Sequence, residues 1–415
     1  MYLLYALLYR CYLAFLRLGC LFNAKAKAFF VIRRRNKLHY ASPFRSKERQ
    51  EKLLWMHCAS VGEFEEGRPI IQRFRTAHPE WKVVVSFYSP SGYYFQEHWE
   101  GIDKVLALPL DISSHCNEFL DWLRPDHVLW VRYDFWPQIY RAIAERKIPL
   151  TVIGGRLHKG HRLLANNRMA KTMRSAITKI FTVDEVSAEL LRNKEMPQAE
   201  CVGDTRYDRV MSLASAPVDK SFDLLINEKS KILVAGSTWS KDHKVLARSS
   251  EKLLHDGWKL IIVPHEVDEE TIFQCTRVFE KVDLWSEVGW SFTNHDVLIV
   301  DSTGFLSKLY AVADAAYVGG GFESSGVHNI LEPMIYDLPV FCGPNIDRST
   351  EAQEAQALNH LQTINTSTDL CDQIKSMKAF QSKTVVSSWI QNKSGATKII
   401  ASYIEESLKL PLRLV

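Results

Sequence analysis

Glu63 stands where an apolar run gives way to a helical pattern. In "WMHCASVGEFEEGRPII" (55–71) the run ends, the small-residue turn Ser60-Val61-Gly62 follows, and Glu63 comes next. Ser60 to Glu63 reads S-x-x-E, a capping box in which the Glu side chain bonds back to an orphan backbone N–H. A carboxylate at a strand-to-helix turn is also placed to carry out chemistry. Spacing alone favours the cap.

A second chemistry-bearing stretch is "DAAYVGGGFESSGVHNILEPMIYDLPVFCGP" (314–344). An apolar strand pattern runs into Gly319-Gly320-Gly321, then Gly326, His328 and Asn329, with a helix expected near Ile330. Glycines between strand and helix let a backbone approach a phosphate, so Gly320 and Gly321 are phosphate-cradle candidates. A tight structural turn is equally compatible. Gly321 to Gly326 has Walker-A spacing, but Val327-His328 follow where Lys-Ser/Thr is required, which argues against P-loop hydrolysis. Glu332, one turn into the expected helix, has the chemistry to accept ribose hydroxyls.

Other turns follow predicted strands. "AGSTWSKDHK" (235–244) offers Ser237 and Thr238 as helix N-caps and phosphate contacts. "VPHEVDEE" (263–270) ends a strand at Pro264-His265, and "DSTGFLSKLY" (301–310) opens a helix. "GDTRYDRV" (203–210) presents Arg206 and Asp208. "GGRLHKGHR" (154–162) gathers Arg156, His158, Lys159, His161 and Arg162 after a strand end, a candidate anion site at Arg156, Lys159 and Arg162.

These motifs need a scaffold. The 415 residues exceed one ordinary core and predict two domains. Hydrophobic residues at 46% and charged residues at 24% fit a folded soluble protein. The net charge of +4 is too mild to suggest nucleic acid but suits anionic small ligands or an anionic membrane surface. The eight cysteines form no C-x-x-C pair, so a reducing cytoplasm is expected, without zinc or disulfides. No D-x-D or H-x-x-x-H triplet occurs, and no metal is expected. There is no G-x-S-x-G elbow.

Short apolar runs at 53–59, 83–88, 105–108, 127–131, 150–153, 180–183 and 201–203 alternate with helix-length stretches, and the alternation restarts at 232–236, 260–264, 297–300, 315–318 and 340–342. This predicts an α/β protein with two doubly wound parallel sheets. The polar stretch 212–230 reads as a linker. Ligands in such sheets bind beyond the strand carboxyl ends, and the cleft between two domains is the natural site. The expected division is 1–40, 41–215 and 216–415. The N-terminal "MYLLYALLYRCYLAFLRLGCLF" is apolar but broken by Arg10 and Arg17, seven apart on one helical face. It predicts a helix lying in a membrane interface, with "RRRNK" (33–37) toward lipid head groups.

Taken together, "HCASVGE", "FWPQ", "GDTRYD", "AGST", "VPH", "DSTGFL", "VGGGF…GVHNILEP" and "GP" resemble the 3-deoxy-D-manno-octulosonic acid (Kdo) transferases of lipopolysaccharide synthesis. Each motif is weak alone; their order and spacing carry the match over nearly the whole chain. The resemblance implies a GT-B fold of two Rossmann-like domains, acceptor-binding then nucleotide-binding. It implies inverting transfer of Kdo from CMP-Kdo to a lipid A precursor (lipid IVA) at the cytoplasmic side of the inner membrane, without a cofactor. Glu63 matches the catalytic base and Arg206 a cationic stabiliser. CMP contacts fall on Pro264, His265, Thr303, Gly304, Phe305, Asn329, Ile330, Leu331 and Glu332. The family's E-T-E-L-W-P reads Arg132-Tyr133-Asp134-Phe135-Trp136-Pro137 here, so Arg132 replaces an assigned carboxylate while Asp134 keeps the second. His265 replaces a nucleotide-contacting Arg, and Phe305 a Glu. A helix start would favour ionised Glu63 and burial would oppose it, terms that together suit a base. The alternatives are another GT-B enzyme working on uridine nucleotides, such as a lipid-linked hexosamine transferase or a 2-epimerase, and a membrane-bound nucleotide-binding protein without turnover.

Overall fold

The computed structural model describes residues 2–39, 51–95, 99, 101–132, 134–226, 230–279, 281–376 and 383–409. Tyr133 and the expected boundary at 40/41 lie outside the described residues. Two compact units emerge, one running to Arg209 and resuming at Ser394, the other spanning Val210–Lys393.

The first unit holds a parallel sheet of seven strands: β1 (Leu53–Cys58), β2 (Lys82–Phe87), β3 (Lys104–Ala107), β4 (His127–Val131), β5 (Leu150–Gly155), β6 (Lys179–Thr182) and β7 (Ala199–Cys201). Their order is β3-β2-β1-β4-β5-β6-β7. β1 shows why the run must be apolar throughout. Leu53 and Trp55 enter the core on one side of the sheet, Leu54, Met56 and Cys58 the core on the other. A strand buried on both faces has no polar side to show. The order reverses between β1 and β4, so the loops after these two strands diverge and leave a crevice at the carboxyl edge.

The second unit repeats the plan with β8 (Lys231–Thr238), β9 (Trp258–Pro264), β10 (Asp283–Leu284), β11 (Val297–Ile299), β12 (Ala315–Val318), β13 (Val340–Cys342) and β14 (Leu361–Thr363). They run in the order β10-β11-β9-β8-β12-β13-β14, with the reversal between β8 and β12. β10 and β14 escaped the sequence reading because two or three residues carry no periodicity.

Three helices bear on function: α1 (Tyr2–Gly19), α2 (Ala24–His39) and α3 (Val61–Ala77). α1 and α2 meet at a bend of 118°. α1 packs through Tyr9 and Leu13 onto Phe29, with Trp136 and Tyr88 against the same cluster. Tyr5 donates its hydroxyl to Asp111 at 2.7 Å. The other face of α1 leaves Leu3 88% and Phe15 74% exposed, with Leu7 and Leu18 alongside. Among the described residues no single helix is long and apolar enough to cross a membrane.

Three sequence expectations are corrected. Arg33 does not face outward: it is buried, donates to the carbonyls of Phe29 and Tyr88, and lies over the Phe29 ring at 3.5 Å. Burial lowers its pKa to about 10. A run of three arginines on a helix cannot share one face, and here Arg34, Arg35 and Lys37 take the exposed side. The stretch read as a linker, 212–230, is mostly exposed as far as Ser221 but packs in part, with Phe222 and Leu225 buried and Phe222 against the Trp290 ring. The chain's last described helix, Ala396–Lys409, belongs to the first unit, not the second. Its Ala396, Ile400 and Ile404, at i, i+4, i+8, join the core beneath α3. Asp208 fixes its start by accepting the Gly395 and Thr397 N–H groups.

Candidate active site

At the carboxyl edge of the first sheet, four turns converge. Glu63 follows β1 on the first turn of α3, whose N-cap is Ser60. The Ser60 hydroxyl accepts the Glu63 N–H at 3.5 Å, and the Glu63 carboxylate accepts the Ala59 N–H at 2.5 Å. This is a capping box displaced by one residue, so the cap is real. It does not exhaust the side chain. Burial pushes the Glu63 carboxyl up to about 8; the Ala59 N–H and Arg132 oppose the rise, and Asp134 and Glu66 add to it.

Arg132 and Asp134 follow β4. Arg132 takes a left-handed backbone at φ 58°, which turns the chain sharply off the strand. Its guanidinium forms a two-pronged pair with Glu66 from α3, Nε donating at 2.5 Å. Glu66 is buried, which raises its pKa, and Arg132 and Arg206 oppose the rise. Gly154, after the core of β5, makes room for the pair. A Cβ there would sit 3.1 Å from Glu66 Oε2 and 3.2 Å from Arg132 Cγ, and its φ of 67° suits glycine.

Arg206, on the helix Thr205–Ala214 after β7, donates through Nε and Nη2 to Asp204 at 2.9 and 2.7 Å and lies 3.9 Å from Glu66. Burial opposes ionisation of Asp204, but Arg206 holds its carboxyl below the usual range. Thr205 Oγ1 donates to the Glu66 carbonyl at 2.8 Å. Sequence reading found Glu63, Arg132, Asp134 and Arg206 but missed Glu66 and Asp204. Glu66 stood in a charge run, Glu63-Phe64-Glu65-Glu66, that looks like a solvated face; only the i,i+3 spacing from Glu63 placed it on the same side of the helix.

His57, also missed, supports Asp134. It is buried within β1, with Nδ1 2.9 Å from the Ser86 hydroxyl and Nε2 3.7 Å from Asp134 Oδ2. Ser86 Oγ itself accepts Trp55 Nε1–H at 2.8 Å. The Ser86 proton is then free to point at Nδ1, the tautomer that turns Nε2–H toward Asp134. Burial lowers the His57 pKa, which keeps the ring neutral.

In the second unit, the predicted nucleotide residues line the carboxyl edge of the sheet. His265, after β9, donates its N–H to the Thr238 carbonyl at 3.0 Å. Its ring stacks on Trp239 at 4.7 Å and on His328 at 4.4 Å. Trp239 Nε1 donates to His328 Nε2 at 2.8 Å. That bond requires an unprotonated Nε2, in keeping with a pKa lowered to about 4 by burial and by His265. Phe305 packs against Trp285 and Trp290, and Thr303 and Gly304 beside it are exposed. Asn329 donates to Glu332 at 3.1 Å and accepts the Leu331 N–H. Ile330 and Leu331 have fully buried side chains, so any ligand meets their backbone.

The glycine loop differs from the expected cradle. The helix beyond it, Leu331–Met334, is a single turn. The Gly320 N–H is taken by the Asp242 carboxylate at 3.0 Å. A Cβ on Gly319 would lie 2.3 Å from the Ser237 carbonyl, and one on Gly321 2.6 Å from the Gly343 nitrogen. Backbone crowding against backbone therefore accounts for these glycines. Nor do Ser237 and Thr238 cap the following helix, Ser240–His255: its N-cap is Trp239, whose N–H bonds Asp242. Thr238 is buried, its hydroxyl 2.9 Å from His243 Nε2. Of the acceptor-anion candidates, Arg156 lies 3.8 Å from Asp184, while Lys159 and Arg162 are exposed on the loop after β5.

Residues 33–209 match the family model described as 3-Deoxy-D-manno-octulosonic-acid transferase (kdotransferase). The chain is 28% identical over 350 residues to the 3-deoxy-D-manno-octulosonic acid transferase of Chlamydia trachomatis serovar A, covering 80% of each. It is 26% identical over 323 residues to that of Aquifex aeolicus, covering 75% of this chain and 82% of the relative. Its fold is similar to that of the UDP-GlcNAc 2-epimerase from Neisseria meningitidis solved with UDP-GlcNAc, with TM-score 0.58, 14% identity, and coverage of 86% and 100% of the two chains. At that identity the likeness concerns the fold alone, an α/β fold of the GT-B type.

Two outcomes are expected from this geometry. If Glu63 acts as a base, kcat/KM should rise with pH along a limb centred near 8, and Glu63→Gln should abolish that limb while cutting turnover by roughly 10²–10⁴. The same raised pKa means that stability is full below the unfolded carboxyl value and falls as pH rises through about 8. Glu63→Gln should therefore melt at or above the parent at pH 9 and show no gain at pH 5. A pH-independent rate in the parent would leave Glu63 a cap only. Second, Glu66→Ala removes the buried carboxylate that the half-buried Arg132 meets and should destabilise by about 1–3 kcal/mol in denaturant unfolding; adding Arg132→Met should recover much of it. A single variant as stable as the parent would remove the network from any supporting role.

Proposed function

Because the chain belongs to the Kdo transferase family, we propose that it moves Kdo from CMP-Kdo to a lipid A precursor, lipid IVA, with inversion at the transferred carbon. One observation carries this reading. Glu63 starts α3 beside Asp134, neither carboxylate paired with a guanidinium among the described residues, and burial pushes the Glu63 carboxyl up to about 8. A raised pKa makes the ionised carboxylate a stronger base, and the ionised share grows as pH rises toward about 8.

The residues divide the work. Glu63 removes the proton from the acceptor hydroxyl as the oxygen bonds to the anomeric carbon of Kdo, whose bond to the phosphate oxygen breaks so that CMP leaves with the electron pair. Asp134, backed by His57, accepts a hydrogen bond from the acceptor sugar and orients it. Arg206 acts on developing negative charge, as backbone and side-chain donors do in other group transfers. Arg132 stands where the resemblance leads one to expect a carboxylate, and Glu66 pairs with it. The second unit supplies the nucleotide contacts through His265, Asn329 and Glu332 and the backbone at 303–305 and 330–331. His265 brings a ring in place of a guanidinium, so it recognises by stacking more than by charge.

The test is product formation. With CMP-Kdo and lipid IVA, mass spectrometry should show added Kdo, and CMP should protect the protein against heat where UMP does not. Protection by UMP alone, with no Kdo product, would favour the uridine-nucleotide alternative.

For location, the proposal is the cytoplasmic face of the inner membrane, reached through the exposed apolar face of α1 and the cations Arg34, Arg35 and Lys37. The apolar face should hold at high salt, whereas each nearby cation adds about 1 kcal/mol that salt removes. Replacing Leu7, Phe15 and Leu18 together by Ser spares the buried Tyr9 and Leu13 and should release the protein from anionic vesicles. Unchanged vesicle binding would mean that α1 is not the membrane contact.

A further inference from the structure

Beside Asp134 the first unit contains a cavity of about 880 Å³, within the roughly 300–1,000 Å³ of sites that enclose small ligands. Its wall is aromatic and thioether: Tyr9 and Tyr12 from α1, Trp136 after β4, and Met169 and Met173 from the helix Arg168–Ala176. Trp136 is held by stacking on Tyr88 at 4.8 Å and by the edge of Tyr9 at 6.1 Å. Methionine adapts to flexible apolar guests, and aromatic walls bury much area at small entropic cost.

The two ends of the cavity differ in chemistry. The inner end is Asp134, whose Oδ2 is buried without a hydrogen bond and which acts electrostatically on Glu63. The indole N–H of Trp136 is likewise buried and unpartnered. At the outer end, Leu8 and Tyr12 line the cavity and also belong to the exposed apolar face of α1, at 61% and 46% exposure. The rim carries Arg162, exposed and without a carboxylate partner among the described residues. An apolar slot with an exposed cation in its lining, reaching from an exposed apolar helix face to Asp134, matches one class of molecule. That molecule has a hydrocarbon chain, an anionic head and a polar hydroxyl at the reacting end.

We propose that this cavity takes an acyl chain of the lipid acceptor, with the acceptor's phosphate at Arg162. The inference rests on the reading of the acceptor as a lipid given above. It assigns to Trp136, Met169 and Met173 the selection of an acylated over a sugar-only acceptor. It also gives α1 a second role: one face of the helix forms part of the site itself.

The experiment uses the full chain and a soluble alkyl phosphate bearing a terminal diazirine, below its micellar concentration. After photolysis, labels should map to the peptides containing Trp136, Met169 and Met173. Octyl phosphate should compete and inorganic phosphate should not, which separates a lipid from a free anion. Met173→Trp fills the slot from its buried wall and Met169→Trp from its half-buried one. Either should reduce labelling at least fivefold and raise KM for the acylated acceptor with little change in kcat. Thermal melting and CMP affinity report whether each variant is folded, so a misfolded Met173→Trp leaves Met169→Trp as the test. Labels confined to Leu3, Leu7 and Phe15, or labelling indifferent to both Trp variants, would overturn the site. Kdo transfer with labels outside the cavity sinks the site and leaves the transferase reading. Labels in the cavity with no Kdo transfer support the site and sink that reading.

Discussion

A carboxylate buried between two guanidiniums sets the geometry of the first unit's edge. Glu66 is removed from water, and an isolated charge there would be prohibitively costly. It is tolerated because Arg132 meets it with two donors and Arg206 lies 3.9 Å away. Each partner is then constrained in turn. Arg132 reaches Glu66 only by leaving β4 in a left-handed turn, and that turn fits only because residue 154 has no side chain. Arg206 is steadied by Asp204, and the helix carrying it is tied to α3 through Thr205. The crevice at the β1/β4 reversal is therefore a shape fixed by ion pairing, where sheet topology alone would leave only a gap.

The electrostatic consequence falls on Glu63. Glu66 and Asp204 balance Arg132 and Arg206, so the network is close to neutral as a whole. Glu63 and Asp134 remain beside it as acids without a cation of their own. Like charges in a shared, partly dry site raise each other's affinity for protons, and Glu63 is raised by Asp134 and Glu66 after burial itself. The Ala59 N–H at 2.5 Å pulls the other way and keeps the carboxylate accessible to ionisation. The bond that starts α3 is thus also the bond that holds the Glu63 pKa down against burial.

Much of the scaffold was legible in the sequence because parallel strands buried on both faces must be apolar along their length. β4, β12 and β13 fall on the runs read from the sequence. What was hidden has a common cause: a partner far away in the chain decides the outcome. Arg33 looks like one of three surface arginines until the carbonyl of Tyr88 and the ring of Phe29 draw it inward. Asp208 looks like a site residue beside Arg206 until it is seen capping the helix that begins at Ala396. Gly319-Gly320-Gly321 looks like an anion cradle, yet neighbouring backbone demands the glycines. In the candidate site, motif order pointed to Glu63, Asp134 and Arg206, whereas Glu66, Asp204 and His57, which lie against them, leave no periodic trace.

The second unit solves the same positional problem with a different partner set. Asp242 sits at the β8/β12 reversal and is as buried as Glu66. It accepts the Trp239 N–H, the Gly320 N–H and the Tyr317 hydroxyl, and so ties the two diverging loops to each other. Burial raises its pKa and these three donors oppose the rise. Its partners are neutral dipoles, where those of Glu66 are full cations. The first reversal point therefore keeps full charges, paired with one another, next to Glu63. The second keeps fixed loops and the stacked, uncharged face of Trp239 and His328, with His265 against it, which suits holding a nucleotide without competing for its protons. Two sheets of one topology diverge in chemistry because one buried carboxylate at each crossover chose guanidiniums in one case and amides in the other.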